Sequence, residues 1–113
     1  NYKLAVATGK SRNGLDKALI STGLKRFFDI ERCADETESK PDPLMLSEIA
    51  AYYHVDPSNM IMVGDTEFDL EMASRFGSPS LGVSYGVHDV GRLVKHSPLG
   101  VMDCISEIHQ YLL

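Results

Sequence analysis

Two short, wholly apolar runs at residues 4–7 and 60–63 restrict the fold more than any other feature of the sequence. Each run ends in a small polar pair, Thr8-Gly9 or Gly64-Asp65, and each is followed by apolar residues at helical spacing. Continuous apolar runs of this length are typical of strands buried on both faces. Because such strands alternate with helices along the chain, we predict an α/β fold with a parallel sheet and crossover helices.

The remaining elements are predicted from caps, helix breakers and periodicity. The first helix should have Asn13 as its N-cap and end at Gly23, and the second should have Asp42 as its cap and Pro43 at its first position. The other predicted elements are an edge strand within 27–34, a helix from about residue 65 to 77, a strand at 80–84, a small helix around 90–94 and an amphipathic helix over 105–112.

Size and charge exclude several classes of protein. The chain has 113 residues, 43% of them hydrophobic and 24% charged, which fits one ordinary globular domain over residues 1–113. Its 11 basic and 16 acidic residues give a net charge of −5, so we expect no nucleic-acid partner. No apolar run approaches the roughly 20 residues that a membrane span needs. The two cysteines form no paired motif, and we expect a soluble, cytoplasmic protein.

The candidate functional residues follow the two apolar runs. In open α/β sheets the functional crevice lies beyond the carboxyl ends of the strands. Thr8 and Gly9 supply a hydroxyl and backbone N–H groups suited to phosphate. Asp65 and Asp69 are four residues apart, so in one helical turn their carboxylates would lie on the same side and suit Mg²⁺. The simpler alternative for this acidic pair is a capping aspartate followed by a solvated one.

Lys40 lies in the segment Ser39-Lys40-Pro41-Asp42-Pro43, where two prolines stiffen the backbone before a helix. Such stiffening can aim a side chain, although a surface lysine in a polar loop is the simpler interpretation. The sequence Thr8-Gly9-Lys10-Ser11 also imitates the end of a P-loop, but position 4, where that loop needs its first glycine, is Leu4 within a strand. A P-loop nucleoside triphosphatase is therefore disfavoured.

Three segments in order, 4–9, 39–43 and 62–73, resemble the second, third and fourth motifs of the haloacid dehalogenase (HAD) superfamily. The likeness is greatest to its phosphoglycolate phosphatase-like branch. Further agreement comes from residues 23–29 and 82–86, so the resemblance spans nearly the whole chain. It implies a Rossmann-like, HAD-like parallel sheet.

The resemblance also implies a role for each candidate residue. Thr8 and Gly9 would hold phosphate oxygens, and Lys40 would offset the charge of the nucleophile and the phosphate. Asp65 would bind Mg²⁺, with Asp69 supporting the metal directly or through water. The implied activity is a Mg²⁺-dependent phosphatase that acts on small phosphorylated metabolites through an aspartyl-phosphate intermediate.

The sequence departs from the family in its first motif and in its cap. It contains no Asp-x-Asp, the motif that supplies the nucleophile and the general acid/base, and it lacks the helical cap domain that shapes substrate choice. We therefore expect residues 1–113 to be the C-terminal part of a phosphatase, an incomplete core domain that is inactive alone. The alternative is a non-catalytic α/β module that binds phosphate or a protein, and phosphomutase or dehalogenase activity also stays open.

The missing first motif has a structural consequence. The family sheet places the missing first strand between the strand that ends at Thr8 and the strand that precedes Asp65. A buried strand edge left unpaired is costly. We expect these two strands either to pair directly or to be joined by another strand, supplied by the missing N-terminal segment or by a second chain.

Overall fold

The structure is a computed structural model that describes residues 2–112. Five strands alternate with four helices along the chain, as the apolar runs predict. In chain order they are β1 (Ala5–Thr8), α1 (Arg12–Thr22), β2 (Ile30–Cys33), α2 (Leu44–Tyr53), β3 (Met62–Gly64), α3 (Glu67–Phe76), β4 (Ser80–Val83), α4 (Val90–Leu93) and β5 (Gly100–Met102). Four short 3₁₀ turns, Lys25–Phe27, Pro57–Asn59, Val94–His96 and Ile105–Gln110, complete the described elements.

The strands form two parallel sheets. β1 pairs with β2, with Ala5 opposite Ile30 and Thr8 opposite Cys33. The second sheet has the order β3-β4-β5, and both of its pairings are parallel. Parallel strands joined by helical crossovers confirm the predicted α/β class.

Strands β1 and β3 do not pair with each other, so of the two expected arrangements direct pairing is excluded, while insertion of another strand stays a prediction. A groove of about 840 Å³ lies between them, lined by residues 2–7 and 59–63 and by apolar side chains of α2 and of the C-terminal turn. The physical reason is the helical layer below. Buried residues of α2 and α3 pack against Ala5 and Ala7 of β1 and against Met60 and Met62, which lie just before and at the start of β3. This layer holds the two sheets side by side without bringing their edges together.

The faces of β1 and β3 that point away from α2 and α3 are covered by different elements. Val6 packs against Leu15 and Leu19 of α1, while Ile61 and Val63 pack around Leu81 and Met102 with the C-terminal 3₁₀ turn. Successive residues of a strand point to opposite faces, which is why both apolar runs are continuous rather than alternating. The carboxyl ends of β1 and β3 are thereby placed at the same edge of the molecule.

Helix α1 begins two residues earlier than predicted. Ser11, not Asn13, is the N-cap, because its backbone is extended and its Oγ accepts a hydrogen bond of 3.1 Å from the N–H of Gly14. Gly23 ends the helix in a left-handed conformation, as predicted. Helix α2 likewise differs by one position, since Pro43 occupies the cap and Asp42 Oδ1 accepts the N–H of Leu44.

Three further predictions are corrected at short elements. β3 begins at Met62 rather than at residue 60, and the helix after it begins at Glu67 rather than near Asp65. The amphipathic helix predicted over 105–112 is a 3₁₀ turn at Ile105–Gln110. Strand β5 was not predicted at all, because three residues are too few to show a period.

A buried carboxylate, Glu31, ties the start of α1 to β2. Its Oε1 lies 2.8 Å from a guanidinium nitrogen of Arg12 and 2.6 Å from Nζ of Lys25. Burial alone raises the pKa of Glu31, but hydrogen bonds from Lys25 and Arg12 outweigh burial and hold the pKa below its ordinary value. These ion pairs fix the loop that follows Thr8.

Candidate active site

A pocket of about 420 Å³ lies at the carboxyl ends of β1 and β3. All five residues predicted from the sequence line it: Thr8, Gly9, Lys40, Asp65 and Asp69. They come from three separate segments: the end of β1 with the residue after it, the loop before α2, and the stretch from the end of β3 into the first turn of α3. The structure therefore brings the predicted hydroxyl, ammonium and two carboxylates to one place, while their individual roles stay predictions.

Thr8 and Gly9 form the β1 side of the pocket. Thr8 Oγ1 accepts a hydrogen bond of 3.1 Å from the N–H of Lys10, which leaves the Thr8 hydroxyl hydrogen available to a ligand. A Cβ built on Gly9 would meet no heavy atom within 4 Å. The space in front of this backbone is open, so a phosphate oxygen could approach it closely.

Asp69 is the most constrained residue of the site. It is 3% exposed, at the third position of α3, and forms a capping box with Thr66. Its Oδ2 accepts hydrogen bonds from the N–H and the hydroxyl of Thr66, at 3.1 and 3.0 Å. A Cβ on Gly64 would lie 2.3 Å from Cβ of Asp69, so the side chain packs directly on the backbone of β3.

Lys40 donates to the remaining oxygen of Asp69. The contact joins Nζ to Oδ1, and the two side chains are only 18% and 5% exposed. Lys40 thus lies at the pocket with its ammonium already paired, and it is not the free surface lysine of the simpler interpretation. Asp69 holds this ammonium in position and has both of its oxygens engaged.

Asp65 differs from Asp69 in having one free oxygen. Its Oδ2 accepts the N–H of Val87 at 3.0 Å, and its carbonyl accepts the N–H of His88 at 3.0 Å. Within residues 2–112, no donor reaches Oδ1 of Asp65. Asp65 precedes the helix instead of lying in its first turn, so the prediction that the two carboxylates share one helical turn is wrong.

The carboxylates at the pocket decide whether Mg²⁺ fits there. Among the described residues there is no group of three or more His, Cys, Asp or Glu side chains that could hold a metal ion. Mg²⁺ does not require such a cage, because it is usually bound by one or two carboxylates with waters and substrate phosphate. The free oxygen of Asp65, at a pocket also lined by Thr8 and Lys40, fits this mode of binding.

Several neighbours in the pocket were not predicted. Ser39, Thr66 and Phe68 also line it. The backbone N–H groups of Val87 and His88 donate hydrogen bonds to Asp65. Thr66 was visible in the sequence, because Thr66-x-x-Asp69 matches the capping-box pattern. Residues 86–88 lie about twenty positions after Asp65 in the sequence, so no local pattern predicts that they contact it.

Residues 1–83 match the model of a protein family described as haloacid dehalogenase-like hydrolase. The chain belongs to this family. Among curated relatives, it is 35% identical to the probable phosphatase IndB of Dickeya dadantii, with 95% of this chain and 47% of that protein covered. It is 33% identical to a phosphoglycolate phosphatase of Neisseria meningitidis, with 96% and 48% covered. The chain therefore spans about half the length of the curated relatives it matches.

Solved structures agree on the fold of this HAD-like domain. A predicted phosphoglycolate phosphatase from Haemophilus somnus superposes with a TM-score of 0.90 at 22% identity, covering 97% of this chain and 49% of that one. A HAD-superfamily hydrolase of subfamily IA from Geobacter sulfurreducens gives 0.80 at 24%, covering 97% and 52%. The resemblance seen in the sequence is confirmed: the chain is part of a HAD-like hydrolase domain, which the family model matches over residues 1–83. No helix among residues 2–112 is long and apolar enough to cross a membrane.

Proposed function

We propose that this chain is the C-terminal part of a Mg²⁺-dependent HAD phosphatase that hydrolyses small phosphate monoesters in the cytoplasm. The observation that carries the proposal is the convergence of Thr8, Lys40 and Asp65 on one pocket at the strand ends. The names of the relatives, phosphatase IndB and phosphoglycolate phosphatase, support the same class of reaction. Two free cysteines, Cys33 and Cys104, are consistent with a reducing compartment.

Each residue has a chemical role in this proposal. The Thr8 hydroxyl and the Gly9 N–H bind phosphate oxygens, and the Lys40 ammonium lowers the repulsion between the phosphate and an attacking carboxylate. Two like unit charges 4 Å apart repel by about 4 kcal/mol at an effective dielectric constant of about 20, so this compensation matters. Asp65 would hold Mg²⁺ through its free oxygen, and the cation supplies further charge neutralisation at the phosphate.

The attacking carboxylate has to come from outside these 113 residues. The sequence has no Asp-x-Asp, and the proposed aspartyl-phosphate path needs a nucleophilic aspartate at the pocket. We propose that an extended segment from the N-terminal part of the parent protein fills the groove between β1 and β3. The apolar lining on both strands and their facing edges suit a buried strand, whose carboxyl end would reach Thr8 and Asp65.

The test is phosphatase activity of the 113-residue chain and of the full-length encoded protein, with phosphoglycolate, pyrophosphate and an aryl phosphate as substrates. We expect Mg²⁺-dependent activity only in the full-length protein. There, Lys40→Met and Asp65→Asn should each lower kcat by at least about 100-fold, the scale of losing one electrostatic contact to a reacting group. Lys10→Met and Asp56→Asn are matched controls at exposed positions and should keep activity.

Each other outcome of this test contradicts part of the proposal. Hydrolysis by the pure 113-residue chain would contradict the need for an outside nucleophile. A full-length protein that binds inorganic phosphate but turns over none of the substrates would favour the non-catalytic binding module. Restored activity on mixing the chain with a second, unrelated chain would show that the groove accepts a strand from another protein.

A further inference from the structure

The loop that follows β4 makes an unusual set of contacts with the segment that carries Asp65. We call residues 86–88 the Asp65 brace. The N–H of Val87 donates to Oδ2 of Asp65 at 3.0 Å, and the N–H of His88 donates to the carbonyl of Asp65 at 3.0 Å. In return, Nδ1 of His88 accepts the N–H of Glu67 at 2.9 Å. Three hydrogen bonds therefore join Val87 and His88 of the brace to Asp65 and Glu67.

Gly86 completes the contact by packing against the Asp65 side chain itself. A Cβ at position 86 would lie 2.1 Å from Cβ of Asp65 and 2.6 Å from its Oδ2. The backbone conformation of Gly86 is not one that excludes other residues, since its φ lies outside the left-handed range. Position 86 therefore needs glycine because Asp65 lies so close to it, and not because the backbone turns there.

The His88 ring is held in the orientation that lets its Nδ1 accept the N–H of Glu67. Its ring packs against Phe68 edge to face, with centroids 5.5 Å apart and planes inclined at 66°. The N–H of Glu67 is the first of helix α3 and has no partner within the helix. Because Nδ1 of His88 satisfies this group, the brace fixes the start of α3 as well as the carboxylate before it.

The brace holds one oxygen of Asp65 and leaves the other free. With Oδ2 bonded to Val87 and Cβ packed on Gly86, the carboxylate cannot rotate without losing these contacts. We propose that Gly86 and His88 are positioning residues, which hold one oxygen of Asp65 on the brace so that the other faces the pocket and can bind a divalent cation. The cation part of this inference rests on the proposed function, whereas the positioning of Asp65 does not.

The experiment uses the full-length encoded protein as the unmodified chain, together with four variants of it. His88→Asn keeps an acceptor near the position of Nδ1 but loses the ring, and His88→Phe keeps a ring against Phe68 but loses the acceptor. Gly86→Ala adds the clashing Cβ. Gly91→Ala is its matched control, because a Cβ there would meet its nearest atom, Oδ1 of Asp89, at an ordinary 3.5 Å.

Two measurements are made on each variant by NMR. Hydrogen exchange at the Val87 amide reports the bond to Asp65 without any metal. In His88→Phe and Gly86→Ala this exchange should become about fivefold faster or more, the effect of losing one net hydrogen bond. Titration with MgCl₂, followed at the amides of Asp65 and Thr66, should give a dissociation constant raised about tenfold in the same two variants, as is usual when a residue behind a metal ligand is lost. His88→Asn and Gly91→Ala should stay within about twofold of the unmodified chain on both measurements.

The two measurements separate the possible failures. If the unmodified chain shows no response to MgCl₂ at Asp65, the cation role in the proposed function fails, and Val87 exchange still decides the positioning. If Val87 exchange is unchanged in His88→Phe and Gly86→Ala, the positioning inference is overturned. It is also overturned if His88→Phe behaves like the unmodified chain while His88→Asn does not, because ring packing alone would then hold the loop.

Discussion

The buried ion pair between Lys40 and Asp69 allows a quantitative test of how the site is built. Replacing Asp69 by Asn keeps the shape of the side chain but removes the charge that Lys40 faces. Breaking a buried pair from one side costs about 3–5 kcal/mol, and the 18% exposure of Lys40 places this case near the lower end, at about 3 kcal/mol. Lys40→Met should cost about 2 kcal/mol, because it leaves Oδ1 of the buried Asp69 carboxylate without a donor while Oδ2 keeps its two hydrogen bonds from Thr66.

The two single changes should not add. In the double variant neither charge is left without its partner, so we expect a total loss of about 2 kcal/mol and a coupling energy of about 3 kcal/mol. The measurement is urea unfolding of the chain and the three variants at pH 7, followed by circular dichroism. Glu71→Gln is the control, since Glu71 pairs with Arg75 on the same helix but at its exposed surface, where such pairs contribute less than about 1 kcal/mol.

Either of two results would contradict a buried ion pair in which Asp69 positions Lys40. Equal losses for Asp69→Asn and Glu71→Gln would mean that burial does not strengthen the pair. Additive losses in the double variant would mean that Lys40 and Asp69 stabilise the chain independently, and Asp69 could then not be regarded as the residue that positions Lys40.

Three further predictions concern the fold around the site. Gly64→Ala should lower the free energy of unfolding by about 1–3 kcal/mol in urea, because its Cβ would lie 2.3 Å from Cβ of Asp69. Glu31→Gln should flatten the acid limb of a plot of stability against pH; since the pKa of Glu31 is lowered in the folded chain, its contribution is present above pH 4.5 and is lost as the pH falls below that value. Ser11→Ala should lower the thermal unfolding midpoint by removing about 1 kcal/mol of helix capping, whereas Asn13→Ala should have almost no effect.

Each of these has a direct control or contrary result. Gly9→Ala, with no atom near its Cβ, is the comparison for Gly64→Ala, and equal losses would contradict the packing argument. An acid limb that is identical in the chain and in Glu31→Gln would mean that other carboxylates govern acid unfolding. A larger effect of Asn13→Ala than of Ser11→Ala would contradict the observed cap.

The sequence was sufficient to predict the α/β class and the composition of the pocket. Both predictions use rules that act through topology: continuous apolar runs indicate buried strands, and the carboxyl ends of parallel strands meet at one edge. Thr8 and Asp65 could be placed together without knowing any side-chain contact, because each lies at the carboxyl end of a predicted strand. Lys40 was assigned to the site only by the resemblance to the HAD family.

The errors come from features that local pattern does not determine. Ser11 and Asn13 are both good cap residues, and only the backbone conformation at Ser11 decides between them. The helix after β3 begins at Glu67 because Thr66 and Asp69 cap each other, which moves Asp65 out of the first turn. Direct pairing of β1 and β3 was wrong because the layer of α2 and α3 supports both sheets at a distance, and such packing depends on residues far apart in the sequence.

The groove between β1 and β3 connects to the pocket at their ends through the same two strands. An inserted strand would pair at about 4.8 Å on each side and so set the separation of Thr8 from Asp65 at the width of two strand spacings. In the proposed function a phosphate on Thr8 and a cation on Asp65 would both depend on that separation. Thermodynamic linkage makes any such effect mutual: the factor by which an occupant of the groove changes phosphate binding equals the factor by which phosphate changes the attachment of that occupant.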